Sequence, residues 1–283
     1  MSENSAYIKQ HPLLTFYALT FTISWGWIPI VAAPGGFPVE AEQFGRLMLF
    51  VYPAMFAGPS VACLLLTGLV YGRAGFRELG AHLFKWRVGA RWYAVALLTA
   101  PLVILAVLLV LSLISPQFLP LLYTSGDKAF LIWYPMVVGF ITAIFQELGW
   151  TGFAMALILK QRQGVLRAGL SVGFLFAAWN FLVVFWSGAG AGALSPAIFL
   201  PVALFTWLPT YRVLMAWVYD HTGSIFVSIL MSASLLAFWI SFTPQAALAG
   251  MPLAIFYLVF TTAMWVVIAV VLRLQTLPQP QPA

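Results

Sequence analysis

Glu147 is the only acidic residue between Asp127 and Asp220, and it stands in an apolar stretch, Phe145-Gln146-Glu147-Leu148-Gly149-Trp150-Thr151-Gly152-Phe153. A charged side chain at the centre of a bilayer costs about 2.5–3.5 kcal/mol on insertion scales, so it needs a partner, a proton or a function. Two readings stay open for it. One is a working acid, the other a protonated carboxyl hydrogen-bonded to a neighbouring helix. Few other polar groups share its depth. Gln146 is adjacent, Asn180 lies within Phe176-Ala177-Ala178-Trp179-Asn180, Arg212 comes eight residues before Asp220, and Ser232 and Ser234 follow. Arg212 is the natural counter-ion for Glu147, and its alternative is to snorkel to the aqueous face. Asn, Gln and Ser in a membrane helix commonly hold helices together, at about 0.6 kcal/mol each. Thr22, Ser24 and Thr142 can bond their own backbone and need no role.

Metal chemistry finds little support in these residue types. A zinc site takes four ligands from Cys, His and carboxylates. His11 starts the first apolar run, His82 lies among basic residues and His221 sits beside Asp220, so none reaches the depth of Glu147. Cys63 is the single cysteine, which excludes an internal disulfide and a multi-cysteine metal site. No metal ligand is assigned from these residues.

Composition defines what must position these groups. The chain is 63% hydrophobic and 7% charged, with a mean hydropathy of +0.99, against about 25% charged in soluble domains. Residues 10–39, 47–72, 92–126, 168–211 and 221–272 carry no Asp, Glu, Lys or Arg. A helix crosses the hydrocarbon core in about 20 apolar residues, so each window holds one or two crossings. The expected fold is all-α: about eight transmembrane helices in a single bundle, near 11–33, 47–71, 92–114, 129–159, 167–187, 195–219, 223–243 and 251–272. Turn residues mark the breaks: Pro34-Gly35-Gly36, Ser115-Pro116, the GAGAGA run 188–193, and Pro244 with Gly250 and Pro252. The fourth segment is anomalous. Its length corresponds to about 46 Å of α-helix, so it must tilt, project or break near Gly149 and Gly152. The first run is too long for the apolar core of a signal peptide and reads as the first membrane helix.

Basic residues are unevenly shared between the two faces. One side holds Lys9, Arg73, Arg77, Lys85, Arg87, Arg91, Lys160, Arg162, Arg167 and Arg273, and the other holds Arg46 and Lys128. The positive-inside rule then places both termini in the cytoplasm. The net charge of +6 is topological, and no nucleic-acid partner is implied. The basic loop 72–91 is a topology determinant that could also lie on anionic headgroups. The domain reading is a cytoplasmic segment 1–10, a membrane domain 11–273 and a disordered cytoplasmic tail 274–283.

The block Gln146-Glu147-Leu148-Gly149-Trp150-Thr151-Gly152-Phe153-Ala154 resembles the first motif of the CPBP (CAAX protease and bacteriocin-processing, or Abi) family of intramembrane metalloproteases. The family pattern there is Glu-Glu-x-x-x-Arg. Gly58-Pro59-Ser60, Phe76-Arg77-Glu78-Leu79, Trp86-Arg87-Val88, Arg91-Trp92-Tyr93 and Trp217-Val218-Tyr219-Asp220-His221-Thr222-Gly223-Ser224 extend the resemblance over about residues 45–240. It implies eight helices with cytoplasmic termini, a place in the bacterial plasma membrane, and metal-assisted hydrolysis of a prenylated or membrane-embedded peptide. In that chemistry the glutamates activate a water, and Phe-x-x-x-His and His-x-x-x-Asn/Asp motifs supply ligands and transition-state contacts.

The reacting positions depart from that pattern. Gln146 replaces the first glutamate, Thr151 the arginine, Asn180 the first histidine and Ser232 the second, and Leu236 occupies the Asn/Asp position. Glu147 and Phe176 are retained. The expected site is therefore Glu147 with the substituted positions Gln146, Asn180 and Ser232, and Arg212, Trp150 and Phe176 are the candidate substrate contacts. The leading expectation is a catalytically degenerate homologue that binds membrane-embedded or lipidated peptides, in an immunity or scaffold role, with no cofactor. An active protease with a rearranged site would need zinc. A small-solute or ion transporter would need a polar pathway or paired broken helices, and the chain has one deep acid, one deep arginine and no internal repeat.

Overall fold

The computed structural model describes residues 3–32, 41–187, 190–244 and 248–276. Pro34-Gly35-Gly36, the first two residues of the GAGAGA run, and the tail after Thr276 lie outside the described residues. The order is α1 (Glu3–Gln10), α2 (Pro12–Ala32), α3 (Ala41–Leu66), a π-helical turn (Thr67–Tyr71), α4 (Gly72–Leu83), α5 (Ala90–Ser112), a 3₁₀ turn (Pro116–Phe118) and α6 (Leu121–Thr124). There follow α7 (Lys128–Gly149), a second π-helical turn (Trp150–Met155), α8 (Ala156–Lys160), α9 (Val165–Ser187), α10 (Pro196–Phe205), α11 (Trp207–Thr222), α12 (Ile225–Phe242) and α13 (Met251–Thr276). Among the described residues there are no strands, and eight helical spans are long and apolar enough to cross a membrane. The chain is a polytopic all-α membrane protein.

Local chemistry explains the boundaries. The Asp127 carboxylate accepts from Phe130 N–H at 3.0 Å and caps α7, while Ser224 accepts from Val227 N–H at 3.1 Å and caps α12. Gly223 has φ 57°, the left-handed conformation that stops α11 and turns the chain directly into α12. The long fourth segment is not broken: a π-helical turn begins after Gly149, and the helical span runs on from Lys128 to Lys160.

Three expectations are revised. The stretch 72–91 is not a loop throughout, because Gly72–Leu83 forms the helix α4 and continues the second span to Leu83. Charge ended the apolar window there, but charge alone does not end a helix. The sixth helix is two pieces, α10 and α11, meeting at Thr206, whose hydroxyl bonds the Val202 carbonyl at 2.7 Å. Ser24 bonds the Met55 carbonyl of α3 at 2.7 Å rather than its own helix.

Close approach of backbones holds the bundle, since bilayer hydrocarbon supplies little hydrophobic drive between helices. Gly169 and Gly173, a G-x-x-x-G pair on α9, face α11. A Cβ added at Gly169 would lie 2.3 Å from Val213 Cα, and one at Gly173 would lie 2.4 Å from Pro209 Cα. On α7, a Cβ at Gly149 would meet the Pro59 carbonyl oxygen at 2.4 Å, and one at Gly139 the Ala233 oxygen of α12 at 3.0 Å. Hydroxyls add interhelical bonds: Ser60 to the Phe145 carbonyl at 2.5 Å, Ser234 to Leu97 at 2.8 Å and Ser241 to Leu131 at 2.5 Å. The Glu78–Lys160 ion pair at 2.5 Å, and the Ser224 hydroxyl on the Lys85 carbonyl at 2.6 Å, gather α4, α8 and the α11–α12 turn at one end of the bundle.

Gly169→Ala should lower the unfolding temperature in detergent, because the clash is with a backbone atom that cannot rotate away; the cost is about 1–3 kcal/mol. Gly80→Ala on α4 is the control: a Cβ there meets nothing within 4 Å, and the unfolding temperature should hold or rise.

Candidate functional site

Glu147 stands one turn before the end of α7 and is fully buried, at 0% exposure. Arg212, on α11, is 3% exposed and reaches it, with Nη1 donating to Glu147 Oε2 at 2.7 Å. The Thr151 hydroxyl donates to the same oxygen at 2.5 Å. Thr151 belongs to the π turn and stands four residues after Glu147, at the position where the family pattern has arginine. The cation beside Glu147 therefore comes from another helix. Arg212 also stacks on the Phe176 ring, its guanidinium carbon 4.0 Å from the centroid. The guanidinium is thus held by a carboxylate from α7 and an aromatic face from α9. Snorkelling is excluded.

This arrangement rests on the helix crossing already described. A Cβ at Gly173 would lie 3.1 Å from Arg212 Cβ, so α9 leaves the space in which the arginine stem passes. Glu147 Oε1 has no hydrogen-bond partner among the described residues. The carboxylate is held on one oxygen only.

Arg212 also borders a cavity of about 180 Å³. Gln146 from α7, Phe176 and Asn180 from α9, Arg212 from α11 and Ser232 from α12 all line it. The substituted family positions and the candidate contacts Arg212 and Phe176 therefore converge. Leu236 lines it as well. Two residues from the expected set lie elsewhere. Glu147, paired with Arg212, does not border the cavity. Trp150 is fully buried in an aromatic cluster, with ring centroids 5.9 Å from Phe16, 5.4 Å from Phe176 and 5.7 Å from Trp179. The cavity also takes in Trp207, Tyr211 and Tyr257, which the motif comparison did not single out. The i, i+4, i+5, i+8 spacing of Trp207, Tyr211, Arg212 and Met215 on one face of α11 was the available signal.

The polar wall is chemically mild. Asn180 Nδ2 donates to its own helix, to the Phe176 carbonyl at 2.8 Å, and the Tyr211 hydroxyl donates to the Met231 carbonyl at 2.9 Å. Among the described residues, the Gln146 amide and the Ser232 hydroxyl have no hydrogen-bond partner. Zinc is the metal that the family chemistry implies. The wall offers amide and hydroxyl oxygens, a cationic guanidinium, and no imidazole, thiolate or carboxylate. Among the described residues, no three His, Cys, Asp or Glu lie close enough to hold a metal ion. This donor set does not fit zinc.

Removing one member of a buried pair strands the other's charge. Arg212→Leu should destabilise the protein by about 3–5 kcal/mol, and Glu147→Met combined with Arg212→Leu should recover most of that loss. Thermal unfolding in detergent measures both, and an unperturbed Arg212→Leu would contradict the pairing.

Residues 128–238 match a family model described as "Type II CAAX prenyl endopeptidase Rce1-like". The match runs from the first residue of α7 into α12 and spans less than half of the 283 residues. No curated protein matches the chain. The matched segment contains Gln146, Glu147, Phe176, Asn180, Arg212 and Ser232, and over it the chain is similar to that family.

Proposed function

We propose that this CPBP homologue binds a membrane-embedded or lipidated peptide in the cavity and does not cleave it. The observation that carries this reading is the separation of acid from cavity. The deep carboxylate is paired with Arg212 and does not border the cavity, whose polar lining consists of neutral amides, hydroxyls and the guanidinium itself. An amide cannot take the proton of an attacking water, and Gln146 stands where the family's first glutamate would do so. What remains is a recess with hydrogen-bonding groups along one wall and apolar side chains along the rest, the usual composition of a ligand pocket. An immunity or scaffold role suits such a protein, oriented with both termini in the cytoplasm of a bacterial cell.

Purified protein in lipid nanodiscs should bind a fluorescent farnesylated peptide saturably and leave it intact on prolonged incubation. Chelator-sensitive cleavage that disappears in a folded Glu147→Ala variant would overturn the proposal in favour of an active protease with a rearranged site.

Metal content supplies an independent check. The wild type should carry substoichiometric zinc after purification, while the triple variant Gln146→Glu, Asn180→His, Ser232→His should retain about one zinc per chain, because those side chains restore the ligand types that zinc prefers. Stoichiometric zinc in the wild type would refute the non-catalytic reading.

A further inference from the structure

Resting on the proposed binding role, we infer that the cavity selects a ligand whose polar end is an uncharged carbonyl, held by Arg212, Gln146 and Ser232, with an apolar chain running toward Phe199. The inference starts from charge balance. Glu147 and Arg212 are the charged groups at the polar end, 2.7 Å apart, and their charges cancel. No other residue bordering the cavity is ionised at neutral pH. A ligand carboxylate would add a net negative charge beside a buried pair whose charges already cancel, and burying an uncompensated charge is far more costly than burying a carbonyl.

Donor count points the same way. A guanidinium has five N–H groups, and the one hydrogen bond that Arg212 makes among the described residues is to Glu147. Its remaining donors, the Gln146 amide and the Ser232 hydroxyl make no protein hydrogen bond among the described residues, and none of these atoms is among the fully buried unpartnered ones, so they remain accessible from the cavity. Donors that border a recess without a protein partner are available to a ligand. A carbonyl oxygen, with two lone pairs and no charge, answers this donor-rich wall without disturbing the Glu147–Arg212 pair.

The shape assigns the direction of the chain. Phe176 and Val184 border the cavity from one face of α9, and eight residues of α-helix cover about 12 Å. Arg212 stacks on Phe176, so the charged end lies there. Val184 and, from α10, Phe199, Ala203 and Leu204 give the lining its apolar part. The lining thus joins donors to hydrocarbon, as an acyl or isoprenoid chain with one carbonyl requires.

The test compares two forms of one farnesylated peptide in the same nanodiscs, the C-terminal methyl ester and the free carboxylate. The ester should bind more tightly by about tenfold or more. Ser232→Ala and Gln146→Leu should each weaken ester binding by about five- to tenfold, with an unfolding temperature that holds or rises because neither side chain makes an internal bond. A carboxylate that binds as tightly as the ester overturns this inference and leaves the binding role standing. Ester affinity unaffected in both variants also overturns it, since the polar end would then lie elsewhere. If neither peptide binds, the binding role falls and this inference with it.

Discussion

The pairing of Glu147 with Arg212 is the constraint around which the rest of the site is arranged. Taking two charges out of water costs several kcal/mol each, and their attraction offsets this only with good geometry and additional hydrogen bonds. The geometry is assembled from three helices. The acid comes from α7, a second donor comes from Thr151 in the π turn that follows, and the guanidinium arrives from α11 across a Phe176 ring on α9. Each contribution depends on a backbone approach that larger residues would block. Gly169 and Gly173 let α11 lie against α9, and Gly149 lets the end of α7 press on Pro59. The glycines are thus part of the electrostatics: a wider crossing would leave Arg212 short of its carboxylate.

The pair also determines what the cavity presents. Arg212 borders the cavity and Glu147 does not, so the recess meets the cationic member of the pair. The same guanidinium makes the site a poor host for a metal cation, independently of the missing imidazoles. Gln146, Asn180 and Ser232 bring hydrogen-bonding capacity to the wall without the charge or ligand strength of carboxylates and imidazoles. The wall that results can orient a polar group but has no base to activate a water.

Much of this was legible in the residues. The charge-free windows marked the membrane spans because a bilayer penalises charge over a fixed thickness, and that penalty is written directly in composition. The unusual depth of Glu147 and the motif around it drew attention to the neighbourhood in which Gln146, Asn180, Arg212 and Ser232 border one cavity, which the motif alone did not establish. What escaped was geometry finer than periodicity. A π turn at Trp150–Met155 differs from α-helix by one residue of register, and no residue type announces it. The helix α4 was hidden because its charges closed an apolar window. Trp150 looked like a cavity residue by its place in the motif, but the rotation introduced at the π turn belongs to the backbone, and its indole packs among Phe16, Phe176 and Trp179.

Glu147 and the groups in the cavity carry different kinds of information about function. Once Arg212 is buried, loss of the carboxylate strands a cation in the core, so stability alone is sufficient reason for Glu147 to be present and its presence is weak support for catalysis. Gln146 and Ser232 have no such structural obligation, because among the described residues they bond to nothing in the protein. An unbonded amide inside a membrane bundle costs free energy that a leucine would not. Their polarity therefore asks for a partner from outside the chain. The functional signal has moved from the acid that first drew attention to the neutral side chains beside it.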